Sequence, residues 1–197
     1  MNTRAIAITI VFAALTVALN PVFTGIGVPA PYAPFLIYQI WEIPIVAAFL
    51  LISPKSGVVI SILNAAVLLA LFPGALLLGP LYNFIAILSM LSGIYVAHRI
   101  LTHGILREKT KNVTLQLETK LITLSTVIGI TFRVGIMSIV NYVVLRYPPP
   151  IGYSTPEVAI IATLPLIGLF NATLALYTIP LGHFIADAIR SNLKLYN

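Results

Sequence analysis

Apolar runs long enough to cross a bilayer follow one another along most of this chain. A backbone in hydrocarbon must satisfy its own N–H and C=O groups, so such runs read as helices. Of 197 residues, 59% are hydrophobic and 8% charged, where soluble domains carry about a quarter charged residues, and the chain reads as an integral membrane protein. No internal stretch has the polar composition of a separate soluble unit, so residues 1–197 are expected to form a single transmembrane domain. The expectation is an all-α protein of six transmembrane helices. The first runs from Arg4 to Asn20 and, with no A-x-A cleavage site after it, is a retained helix rather than a signal peptide. A second follows Glu42 and ends near Ser53-Pro54, with Pro44 either opening or kinking it, and a third reaches about Phe72. The remaining three cover about Leu81–Leu101, Leu117–Arg146 and Pro156–Ile189, the last with Pro165 and Pro180 inside it.

Between the first two helices, Pro21, Gly25, Gly27, Pro29, Pro31 and Pro34 cannot all sit inside a helix. The segment is long, uncharged and rich in valine and phenylalanine, which suits a lid folded down on the helices better than a solvated linker. Pro73 to Pro80 and Pro148-Pro149-Pro150 mark two further connections. Six helices put both termini on one side of the membrane. Nine of the 11 basic residues (Arg4, Lys55, Arg99, Arg107, Lys109, Lys111, Lys120, Arg190 and Lys194) fall on that side, which the positive-inside pattern makes cytoplasmic. The lid and the proline-rich connections are then external, and the net charge of +6 is a topology signal, not a nucleic-acid one.

Against this apolar background the polar residues stand out. Glu42 lies in the run YQIWEIPIVAAFL, and an ionisable side chain at membrane depth costs a few kcal/mol, so it marks a candidate site. Asn64, Asn83, Asn141 and Asn171 need partners for the same reason. Counting from the helix ends puts Glu42, Asn83 and Asn141 within about two turns of the external face, with Asn64 and Asn171 deeper. Two readings are open: the polar groups converge on a ligand, or each asparagine bonds a neighbouring helix and Glu42 sits at the interface. Tyr38 and Trp41 likewise fit either a ligand-stacking pair or an interfacial aromatic belt. On the first helix Ala7, Val11, Ala14 and Ala18 form a small-residue stripe that admits a close helix neighbour, from this chain or another. Arg133 is the other charge at membrane depth. The histidines, at or near the basic face, are expected to be solvated.

The chemistry that the sequence lacks is equally informative. It contains no G-x-x-x-x-G-K-[ST], H-E-x-x-H or G-x-S-x-G motif, no pair of membrane carboxylates and no cysteine. The chain is therefore expected to be neither an ATPase nor an enzyme of these classes, and no cofactor or metal is expected. The Asn112-Val-Thr sequon falls on the cytoplasmic side of the expected topology.

The order of features resembles the substrate-binding S-components of energy-coupling factor (ECF) vitamin transporters over nearly the whole chain, most closely the riboflavin-specific branch. The features that carry the resemblance are Ala14 and Ala18 as an A-x-x-x-A pattern, the long first loop, Glu42-Ile43-Pro44, Asn64, Asn83-Phe84, the basic end His98-Arg99, and Pro165 to Asn171. The most specific is RVGIMSIVNYVVL, Arg133 to Leu145, similar to the family's R-x-x-x-M-x-x-x-N-Y-x-x-L segment. One position departs from the branch: Ile167 stands where it usually has a lysine, so a related flavin or another small heterocycle is also open. The resemblance implies a multi-pass protein of the cell membrane that binds a vitamin. It also implies that Ala14 and Ala18 face a coupling membrane subunit, itself joined to two ATPase subunits. Tyr38 and Trp41 would stack on the ligand, Asn83, Asn141 and Asn171 would bond its heteroatoms, Glu42 would take its hydroxyls, and Asn64 is a further substrate-site candidate. The rivals are a structural membrane subunit and a membrane enzyme that uses Glu42 and Arg133 on a lipid-linked substrate.

Overall fold

The computed structural model describes residues 3–25, 27–71, 76–105 and 114–193. The basic residues Arg107, Lys109, Lys111 and Lys194, Asn112 and Val113 of the sequon, Pro73 and the side chain of His103 lie outside the described residues. Helix α1 spans Thr3–Ala18 and is followed by a single helical turn, α2 (Pro21–Thr24). Asn20 caps that turn, its Oδ1 accepting from the Val22 N–H at 3.1 Å, and Gly25 closes it with φ of +64°, a conformation that favours glycine.

The segment expected as an irregular lid is therefore ordered, and its continuation departs from the all-α expectation. Strands β1 (Val28–Ala30) and β2 (Ala33–Tyr38) pair antiparallel, Val28 opposite Tyr38 and Pro29 opposite Ile37, with a bulge between Pro29 and Ala30. A two-stranded ribbon consists only of edge strands, so Pro29 and Pro34 cost it little pairing. The prolines that exclude a long helix do not exclude a hairpin.

Helix α3 covers Ile43–Leu51. Pro44 sits in its first turn, where a missing N–H costs nothing, which settles the choice between opening and kinking. Nine residues span only about 13 Å at 1.5 Å per residue, under half of a ~30 Å hydrocarbon core. Helices α4 (Pro54–Leu71), α5 (Gly79–Ile105), α6 (Thr114–Val144) and α7 (Glu157–Leu193) are each long and apolar enough to cross a membrane. The shorter α1 is apolar as well.

These elements close a ring in which α3 packs on α4, α4 on α5, α5 on α6, α6 on α7, and α7 back on α3. Helix α1 lies outside it, against α3 and α4. Side chains of α3 from Ile43 to Phe49 are all buried, and with Trp41, Ile60, Leu91, Ile94 and Ile179 they make the core. Two close approaches hold the ring. A Cβ on Gly93 of α5 would lie 2.7 Å from the Gly129 Cα of α6, and one on Gly182 of α7 would lie 2.5 Å from Val46 of α3.

The two ends of the ring differ. At one, the Tyr82 hydroxyl donates to the Ile151 carbonyl at 2.7 Å, tying the start of α5 to the α6–α7 connection. At the other, an Arg190 Nη2 on α7 donates to the Leu50 carbonyl of α3, and His98 of α5 stacks on His183 of α7. Lys55, Arg99 and Arg190 are at this second end, and Arg146 is at the first.

Candidate functional site

Glu42 is the residue before α3, yet its side chain makes no capping bond to that helix. Its carboxylate turns inward and takes the guanidinium of Arg133 from α6 in a two-pronged ion pair. Nη2 donates to Oε1 at 2.9 Å, and Nη1 donates to Oε2. Nε of the same arginine donates to Oδ1 of Asn171 on α7 at 3.0 Å, and Nη1 also lies 3.6 Å from the Met90 sulfur on α5. The Asn171 amide in turn donates to the Ile167 carbonyl at 2.9 Å. Exposure is 0% for Glu42, 2% for Arg133 and 5% for Asn171. Such a pair is not a source of stability in itself, because desolvation offsets the attraction. Breaking it leaves an uncompensated buried charge, which costs about 3–5 kcal/mol. Parallel bidentate bonds also fix both side chains in orientation, which a lysine would not do.

This cluster sits at mid-depth. Met90 is midway along the apolar span 79–101, and Arg133 and Asn171 lie within a turn of the middle of theirs. The structure thus brings Glu42 to Arg133 and Asn171, where counting from helix ends grouped it with Asn83 and Asn141. That grouping is corrected: α3 begins only at Ile43, after the hairpin of residues 28–38, and the ion pair holds its start at the level of Arg133 and Asn171. Glu42 enters the core at half height and is not at an interface.

Asn83 and Asn141 lie nearer the hairpin end. Asn83 is seven residues before Met90, on the same face of α5, and is exposed. Asn141 is half-buried two turns after Arg133, its amide donating to the Met137 carbonyl of its own helix at 2.7 Å. On α4, Asn64 is buried at 2% exposure, and its Oδ1 accepts no hydrogen bond from the described residues. Trp41 is completely buried, its Nε1–H also without an acceptor, which removes it from any interfacial belt. Such atoms are costly unless something else satisfies them.

The hairpin is anchored to α7 beside this cluster. The Tyr38 ring packs 5.1 Å from that of Phe170, and the Tyr38 and Tyr32 hydroxyls share a hydrogen bond. Just after β2, the Gln39 carbonyl accepts from the Tyr177 hydroxyl at 2.6 Å, and the Gln39 N–H donates back to it at 3.3 Å. One tyrosine thereby satisfies both backbone groups of the residue where the hairpin turns into the core.

On α1, Thr9, Phe12 and Thr16 face the ring, whereas Ala7, Val11, Ala14 and Ala18 are exposed. The stripe therefore does not pack within this chain. Ala14 and Ala18 line an apolar groove of about 870 Å³ with Val59, Leu63 and Val67 of α4. The histidines differ from expectation: His183 is 4% exposed, and its ring stacks on that of half-buried His98 with centroids 6.0 Å apart.

Sequence reasoning gave Arg133 a role only in the rival enzyme reading and did not pair it with Glu42 as a salt bridge. The signal was available, since one carboxylate and one guanidinium at membrane depth call for each other, but 91 residues separate them in the chain.

No protein-family description matches the sequence. No curated protein matches it either. Among solved structures, the chain is similar to the S component of a bacterial ECF transporter, with a TM-score of 0.72 and 20% identity, over 98% of this chain and 99% of that one. The likeness shows a shared membrane fold.

Proposed function

We propose that the chain is the substrate-binding S component of an ATP-driven ECF vitamin transporter, and that it captures riboflavin or a related flavin from outside the cell. The observation that carries this reading is the mid-membrane cluster beside an anchored hairpin, in a fold shared with such a component. Burying a carboxylate and a guanidinium at half depth gives a structural subunit no net stability, whereas a binding protein uses them to fix a floor.

The charge state of that floor narrows the ligand. Arg133 directs its donors to Glu42, Asn171 and Met90, so the pair is neutral as a unit and offers no free cation to an anionic ligand. Ile167, where a lysine is usual in the riboflavin branch, adds no charge. An uncharged heteroaromatic ligand fits, held by Asn83, Asn141 and the unpaired atoms of Trp41 and Asn64, with Tyr38 stacking above. Glu42 and Asn171 then act chiefly by holding Arg133. A different small heterocycle is the alternative. Transport would require partners, because the sequence has no nucleotide-binding loop. The open face of α1 suits a coupling membrane subunit joined to two ATPase subunits, and the basic end of the ring suits the cytoplasmic side.

Mass spectrometry of whatever the purified protein carries, followed by titration with riboflavin in detergent, tests the reading. A bound flavin and saturable binding are expected. A different bound vitamin would keep the transporter class and replace the ligand, whereas no ligand with normal assembly into a complex would favour a structural subunit.

A further inference from the structure

Below the ion pair, at the basic end of the ring, the turn between α3 and α4 and the last turns of α5 enclose a cleft of about 430 Å³. Leu50, Ile52 and Pro54 give it an apolar wall, and Tyr95, His98 and Arg99 form the opposite side. Among the described residues no carboxylate lines it. Arg99 Nε and Nη2 donate to the Tyr95 hydroxyl at 2.9 and 2.7 Å, so the guanidinium is held in place by a neutral group. Neither Arg99 nor the exposed Lys55 in the first turn of α4 pairs with a carboxylate among the described residues. Arg190 also borders this end, through Leu50, but Asp187 compensates its charge at 2.8 Å.

The level of these cations matters. Arg99 lies two residues before the end of the apolar span 79–101, and Lys55 is the second residue of the span 54–71. Both are therefore at the height where hydrocarbon gives way to headgroups. A cleft with fixed positive charge on one side and an apolar wall on the other, at that height, complements a molecule that is itself anionic at one end and apolar at the other. A free anion would use only the cations.

We infer that this cleft binds the headgroup of an anionic phospholipid, with Arg99 and Lys55 meeting the phosphate and the Leu50–Pro54 wall meeting the first part of the acyl chain. The lipid would fix the height of the α3–α4 turn in the bilayer and, through the nine-residue α3, the height of Glu42.

The test uses the full chain, delipidated in a neutral detergent, with native mass spectrometry of retained phosphatidylglycerol and phosphatidylcholine of identical acyl chains. Phosphatidylglycerol is expected to be retained preferentially, and R99Q to weaken it about fivefold, the worth of one cation near an anionic headgroup. K55Q, on an exposed side chain, should act in the same direction if R99Q disturbs the fold. Millimolar inorganic phosphate should leave the lipid bound. Equal retention of the two lipids, or unchanged retention in both variants, would overturn the inference. Displacement by inorganic phosphate would overturn the lipid assignment in favour of a soluble anion.

Discussion

Glu42 and Arg133 lie inside the helix ring with each other and without solvent, whereas Ala7, Val11, Ala14 and Ala18 on the outer face of α1 have neither polar groups nor cover. The inner region is specified by bonds. Each nitrogen of the Arg133 guanidinium has a named acceptor, and a change of chemistry at one position leaves another atom unpaired. The outer region is specified by the absence of bulk, so it tolerates a change of identity but not of size. Inside, a substitution should register in stability and affinity; outside, it should register only where another molecule has to approach.

The sharpest way to break this contrast is on α1. A14W or A18W would hold a neighbouring helix off, so on the proposed function uptake is expected to be abolished while the melting temperature and ligand affinity of the isolated protein stay unchanged. Normal uptake by both variants would remove α1 as the coupling face. Next in size is the ion pair. R133M alone is expected to destabilise the fold by about 3–5 kcal/mol, and combining it with Glu42→Leu should recover most of that loss, because the buried charge then disappears with its partner. Thermal melts of the single and double variants in one detergent decide this, and a double variant as unstable as the single would mean that the charges serve more than each other.

Asn141 comes third. Its amide is already used by its own helix, and its carbonyl oxygen is the atom free for a ligand. Leaving a ligand atom unpaired costs about 1–3 kcal/mol, so N141A should weaken binding roughly ten- to hundredfold with little change in melting temperature. A fall in melting temperature at constant affinity would reassign Asn141 to packing. The smallest effect is expected at Tyr177, where Y177F removes two bonds to Gln39 worth about 1 kcal/mol each. Hydrogen exchange of the hairpin amides should then rise without loss of the ring.

How far the sequence discloses this arrangement depends on the range of the interactions. The long helices α4 to α7 were legible because hydropathy and helix punctuation are local, and Glu42 was legible as a site because a lone carboxylate in an apolar run is costly wherever it folds. Its partners were not, since the approach of α3 to α6 and α7 is set by packing at positions such as Gly182 and Val46. Depth was misjudged for one specific reason. Residues that cannot continue a helix suggest a segment outside the membrane, whereas Val28 to Tyr38 pair with one another and β2 lies against α7, with Tyr38 on Phe170 one residue from Asn171. The outward turn of Ala14 and Ala18 needed the position of Phe12, which a stripe of small residues does not reveal.

The shortness of α3 sets a distance. From Ile43 to the basic end of the ring is about 13 Å, in a hydrocarbon layer of ~30 Å. The level of Glu42 is therefore separated from the basic end by buried side chains one short helix thick, less than half of the layer, and whatever rests beside the ion pair lies closer to the α3–α4 turn than a full-length helix would hold it.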